Sequence, residues 1–149
     1  MMKKQTMILV AMILIPLIAV AIAISPDSVM VFENQTMTTI SFAEPYEGAN
    51  FGWCAPVALI MIYALFATVV IYALTKKQNI LKIVRGIGFV GMSLVALPIL
   101  AQGEVLIVPN VFVGMLLIAH WLISHFTLKN VNMNTKKEEE PKGKRLKSR

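Results

Sequence analysis

The sequence predicts an all-α membrane protein: an antiparallel four-helix transmembrane bundle with a short β-hairpin-like extracellular loop. Three observations lead to this. First, 57% of the 149 residues are hydrophobic, and they gather into blocks at about 7–24, 51–74, 80–100 and 105–126. Second, each block is close to the length needed to cross a hydrocarbon core about 30 Å thick. Third, the charges between the blocks separate by sign. Lys3, Lys4, Lys76, Lys77, Lys82, Arg85 and Lys129 fall at alternate ends of the blocks, and the other seven basic residues lie in the tail. Asp27, Glu33, Glu44, Glu47 and Glu104 occupy segments with no Lys or Arg.

Basic flanks stay cytoplasmic. This predicts a multi-pass protein of the cell membrane with both termini and turn 75–79 inside, and with loop 25–50 and turn 101–104 outside. Residues 1–128 form the membrane domain. Residues 129–149 are expected to be a disordered, basic cytoplasmic tail, because their charge blocks contain little to bury. The net charge of +6 belongs to these inner flanks, so no nucleic-acid partner is expected. Membrane lipids are.

The first block begins after a short basic stretch and reads MILVAMILIPLIAVAIAI. Its apolar run exceeds that of an ordinary signal peptide, which favours an uncleaved helix. The small-x-small triplet Ala21-Ile22-Ala23 leaves cleavage as the alternative. Pro16 interrupts the hydrogen-bond ladder and frees a carbonyl near residue 12, which a neighbour or a local adjustment must satisfy. Ala19 and Ala23 offer a strip of small residues for close packing.

Loop 25–50 opens with Ser25-Pro26-Asp27, a turn signal. Two β-prone runs follow, Val29–Phe32 and Met37–Phe42, with Glu33–Thr36 able to turn between them, and together they predict a hairpin. A two-stranded hairpin is marginal alone, so its apolar side chains must rest on something. Aromatic anchors dominate many interfaces, which makes Phe32 and Phe42 candidate partner contacts. The alternative is that both rings cover the protein's own helix ends. Asn34-Gln35-Thr36 matches the glycosylation acceptor pattern. The loop's carboxylates follow no calcium-loop spacing and read as a solvated acidic loop. A four-span chain with a β-prone first outer loop resembles claudin-like proteins in outline. Here, however, Trp53 and Cys54 stand at the helix boundary and Cys54 is the single cysteine, so the resemblance implies nothing further.

In the second block Trp53 sits at interfacial depth and Pro56 in a first turn. Tyr63 lies nearer mid-span, where its hydroxyl needs a partner. Lys76, Lys77, Lys82 and Arg85 cluster at the turn and can reach anionic lipid phosphate. The third block carries Gly86, Gly88, Gly91 and Ser93 on two opposite faces, which predicts close neighbours on both sides and a central position. Pro98 is expected to bend or end it. The short turn that follows makes the third and fourth helices antiparallel neighbours. In the fourth, Gly114, Trp121 and His125 share a face, and His120 and Ser124 form a second polar strip. Tyr63, His120 and Ser124 are therefore candidates for an intramembrane polar site.

No Asp or Glu falls inside a block, which argues against ion coupling through a membrane carboxylate. His120 and His125 lie about 140° apart around a helix, and Cys54 is expected near the opposite membrane face, so no metal or catalytic cluster is predicted. No cofactor is expected, since no fingerprint for one is present. The leading expectation is a non-catalytic accessory or assembly subunit that binds a membrane-protein partner or its own copies. A small transporter or channel component is the first alternative, and a structural or lipid-binding membrane protein the second.

Overall fold

The computed structural model describes residues 2–33, 36–43, 53–102 and 108–139. In chain order these form α1 (Met2–Ala23), β1 (Val29–Glu33), β2 (Thr36–Ile40), α2 (Cys54–Thr75), α3 (Gln78–Gln102) and α4 (Val108–Glu139). Stretches within all four helices are long and apolar enough to cross a membrane: Gln5–Ala23, Cys54–Thr75, Gln78–Leu97 and Val111–Val131.

The helices are apolar on their outward faces as well as their inward ones. Val10, Leu14, Leu17 and Ile18 of α1 are exposed, as are Ile60 and Ile71 of α2, Ile83 and Phe89 of α3, and Phe112, Met115, Ile118 and Leu122 of α4. A helix apolar all round needs an apolar surrounding, and lipid supplies it. The molecule is a multi-pass membrane protein.

Packing follows a closed ring in which α1 lies against α2 and α4, and α3 against α2 and α4. The third helix thus occupies one corner of the bundle, diagonal to α1, and not the central position expected from its small residues. Met12 and Ala19 from α1, Ile62 and Leu65 from α2, Leu81 and Val84 from α3, and Val113 and Leu117 from α4 fill the interior.

The α2–α3 connection consists of Lys76 and Lys77 alone. Lys76 adopts the left-handed conformation at φ 54°, and its N–H donates to the Tyr72 carbonyl at 2.8 Å. This is the αL form of C-cap, which usually takes glycine. Lys77 then receives the first amides of α3, with the Ile80 N–H at 3.1 Å from its carbonyl.

Two boundaries differ from the sequence expectation. α4 continues to Glu139, so residues 129–139, expected to be disordered, are helical. They contain no Gly or Pro before Pro141, and Lys and Glu are good helix formers. α3 continues past Pro98 to Gln102, so that proline does not end the helix. The acidic return 44–50, residues 51–52, the turn at 103–107, the acceptor residues Asn34 and Gln35, and the tail from residue 140 lie outside the described residues.

Candidate functional site

β1 and β2 pair antiparallel, with Val29 opposite Ile40 and Glu33 opposite Thr36. The open end of this ribbon, where both strands meet the rest of the chain, is tied to the end of α1. The Ala23 carbonyl, one of the last in α1, accepts the Ser28 hydroxyl at 3.1 Å and the Phe42 N–H at 3.2 Å. Ser28 Oγ is itself within 3.2 Å of the Phe42 N–H. Thr39 donates its hydroxyl to the Asp27 carboxylate, and Asp27 holds a left-handed φ of 61°. Helix-end carbonyls need such partners when water is excluded. Phe42 follows the second strand into the interior and is only 1% exposed. Its ring belongs to the hydrophobic core and is not an exposed surface. The side chain of Phe32 is not among those described.

The intramembrane candidates separate. Tyr63 is 48% exposed on the outward face of α2. Its hydroxyl does not share a site with His120. His120 and Ser124 are fully buried on α4. Ser124 spends its hydroxyl locally, donating to the Trp121 carbonyl at 2.8 Å.

His120 has a distant partner. Its Nε2 lies 3.2 Å from the Met12 carbonyl of α1. Met12 is four residues before Pro16. In an unbroken helix its carbonyl would accept the N–H of residue 16, which proline lacks. The imidazole therefore fills the vacancy that the proline creates. Since a carbonyl can only accept, Nε2 must carry the proton. The other ring nitrogen, Nδ1, is then an acceptor. It is buried and has no hydrogen-bond partner among the described residues. It faces α3 at Gly88, where an added Cβ would lie 3.8 Å from it.

The inward glycines of α3 are less tightly packed than their spacing suggests. A Cβ on Gly91 would meet Met61 at 3.6 Å and Leu117 at 3.8 Å, both ordinary contacts. Gly86 has nothing within 4 Å, and Ser93 is also exposed. Of the two small-residue faces, only the one with Gly88 and Gly91 is packed within the chain.

A cavity of about 340 Å³ opens between α1, α2 and α4 at the Lys76 end. Gln5, Tyr72, Lys76 and Thr127 supply its polar lining. The Lys76 ammonium sits 5.7 Å from the centroid of the Tyr72 ring, within cation–π range. Of the candidate phosphate contacts, Lys76 lines this cavity, whereas Lys77, Lys82 and Arg85 are not part of the lining. Lys76, Lys77 and Lys82 are all exposed and Arg85 is half-buried.

Cys54 is buried and presents no surface for a disulfide to another chain. Trp121 and His125 pack at 5.5 Å between ring centroids, with Phe89 of α3 6.4 Å from Trp121. Among the described residues no group of three or more His, Cys, Asp or Glu could hold a metal ion.

The fold thus defines a multi-pass membrane protein with His120 buried between its helices. No protein-family model, curated protein or solved structure matches the chain.

Proposed function

We propose that the protein is a non-catalytic accessory or assembly subunit that docks a transmembrane helix of a partner protein on the outward face of α3. The observation that carries this reading is the open strip at Gly86 and Ser93. Nothing lies within 4 Å of a Cβ at Gly86, and Ser93, two turns on, is exposed with its hydroxyl donated to the Phe89 carbonyl. Small residues let helix backbones approach closely, and packing is a main source of helix association in lipid. Exposed Phe89 and Val90 flank the strip and would frame the incoming helix.

The reading carries the orientation expected from charge, with termini and the Lys76 turn cytoplasmic and the hairpin outside as a cap on the bundle. It also keeps α1 in the mature protein, since α1 supplies the Met12 carbonyl to His120 and the Ala23 carbonyl to the hairpin. In intact cells, a cysteine placed at Gln35 is expected to react with an impermeant maleimide, and one placed at Lys77 is not. Labelling at position 77 with protection at position 35 would reverse the topology.

The partner is tested by purification in mild detergent, with mass spectrometry of what remains bound. One stoichiometric foreign membrane protein is expected, lost in Gly86→Leu while the monomer's thermal stability is unchanged. Retention of the partner by that variant would remove α3 as the docking face. A homo-oligomer with water-accessible helix interiors would instead favour a transporter or channel component. The observation on that side is the unpartnered Nδ1 of His120.

A further inference from the structure

We infer that the cavity at the Lys76 end is a binding site for one anionic phospholipid, its phosphate held by Lys76 and part of one acyl chain lying along α1 toward Met12. The site is distinct from the outward face of α3 and stands whether or not that face has a partner.

The cavity is polar at one end and apolar along its depth. Gln5 on α1, Tyr72 on α2, Lys76 at the C-cap of α2, and Thr127 on α4 form the polar part. Ile8, Leu9 and Met12 follow along α1 toward the interior, while Val131 on α4 lies one turn beyond Thr127. At about 1.5 Å of rise per residue, the wall from Gln5 to Met12 is about 10 Å deep. The deep end is fixed, because the Met12 carbonyl is bound by His120 and that contact ties α1 to α4. A volume of about 340 Å³ is at the lower end of the range for small-molecule sites. It is too small for a whole two-chain lipid, so the second chain stays in the bilayer.

Charge selects the headgroup. Among the described residues the lining contains a lysine and no Asp or Glu. Lys76 is held by its backbone as well as its ring contact: the left-handed C-cap at φ 54° anchors the residue, and the Tyr72 ring lies beneath the ammonium. Lys77, Lys82 and Arg85, close by in sequence, add positive potential without entering the cavity. Basic pockets between transmembrane helices are a known recognition mode for anionic lipid headgroups. A zwitterionic headgroup brings its own cation and gains less. A free phosphate would gain nothing from the wall formed by Ile8, Leu9 and Met12. The alternative role of Lys76, as a cation complementing the α2 C-terminus, explains neither the apolar depth nor the cavity.

The test uses the full chain, delipidated in neutral detergent, with thermal unfolding followed as ligand is added. Dioleoylphosphatidylglycerol is expected to raise the midpoint saturably. Dioleoylphosphatidylcholine and inorganic phosphate at equal concentration are expected not to. Lys76→Gln should raise the half-saturating lipid concentration about fivefold, the factor for losing one lysine–headgroup attraction. Leu9→Trp, which fills the apolar depth, should abolish the response even if the Lys76 variant folds poorly. Lys129→Gln, at an exposed position outside the lining, should leave it unchanged. Equal shifts from phosphatidylcholine and phosphatidylglycerol would overturn headgroup selection. A shift from inorganic phosphate alone would mean an anion site without a lipid chain. An equal loss in the Lys129 and Lys76 variants would reduce the effect to general surface charge. An undiminished response in Leu9→Trp would place the lipid elsewhere.

Discussion

His120→Leu is expected to be among the most damaging conservative substitutions in the protein, lowering stability by roughly 2–4 kcal/mol. Leucine replaces the imidazole with little change in volume, so the loss is not mainly a packing loss. It comes from the Met12 carbonyl, which Pro16 has deprived of its usual helical partner and which His120 reaches at 3.2 Å. In a water-free interior an unsatisfied carbonyl loses the full value of its hydrogen bond. Pro16→Ala provides the control, because an alanine N–H at position 16 can return to Met12. In the His120→Leu background Pro16→Ala should recover most of the loss, whereas alone it should change stability by less than about 1 kcal/mol. Reversible unfolding in mixed micelles with increasing SDS measures all four corners of this cycle, and the coupling between the two sites is the quantity of interest. Additive effects, or a His120→Leu protein as stable as the parent, would show that the contact carries no free energy. Gly88→Ser adds a third arm. Its Cβ fits at ordinary distances from Leu65 and Trp121, and its hydroxyl can reach Nδ1. Any gain from the serine should therefore disappear when His120 is leucine.

Phe42→Ala is expected to cost about 3–5 kcal/mol, the usual range for emptying a buried aromatic site. The ring is 1% exposed, and its own backbone N–H helps to cap the Ala23 carbonyl. Losing the ring loosens the point where the hairpin meets α1. Because two strands alone are marginal, the ribbon Val29–Ile40 should lose protection as a unit. Hydrogen exchange with mass spectrometry should therefore show faster exchange across β1 and β2 than in the parent, with a lower unfolding midpoint. A protein that keeps its stability but loses a bound partner would instead make Phe42 an interface residue. That outcome would contradict its position inside the fold.

How much of this was legible in the chain differs from residue to residue. Pro16 announces a carbonyl without a donor near residue 12, because proline has no N–H wherever it sits in a helix. His120 announces itself as a polar group in an apolar block. That the two answer each other is not legible, since 108 residues separate them and only the contact of α1 with α4 brings them together. The small residues of α3 show the same division. Their spacing places Gly86 with Ser93 and Gly88 with Gly91 on opposite faces. It does not say that the second pair looks into the bundle and the first out of it.

The physical reason is that inside and outside are alike to an apolar helix in lipid. In water, the contrast between polar and apolar residues marks the buried face. Here both faces are apolar, and only packing, together with the demands of a few backbone and polar groups, sets the rotation of each helix. Length and hydropathy alone therefore determined the four spanning segments, and charge determined the short basic turn at Lys76 and Lys77 as their landmark. Tertiary structure alone decided the ring order that puts α3 at a corner. It also placed the Phe42 ring in the core, separated Tyr63 from His120, and left a cavity beside Lys76 where three helices meet.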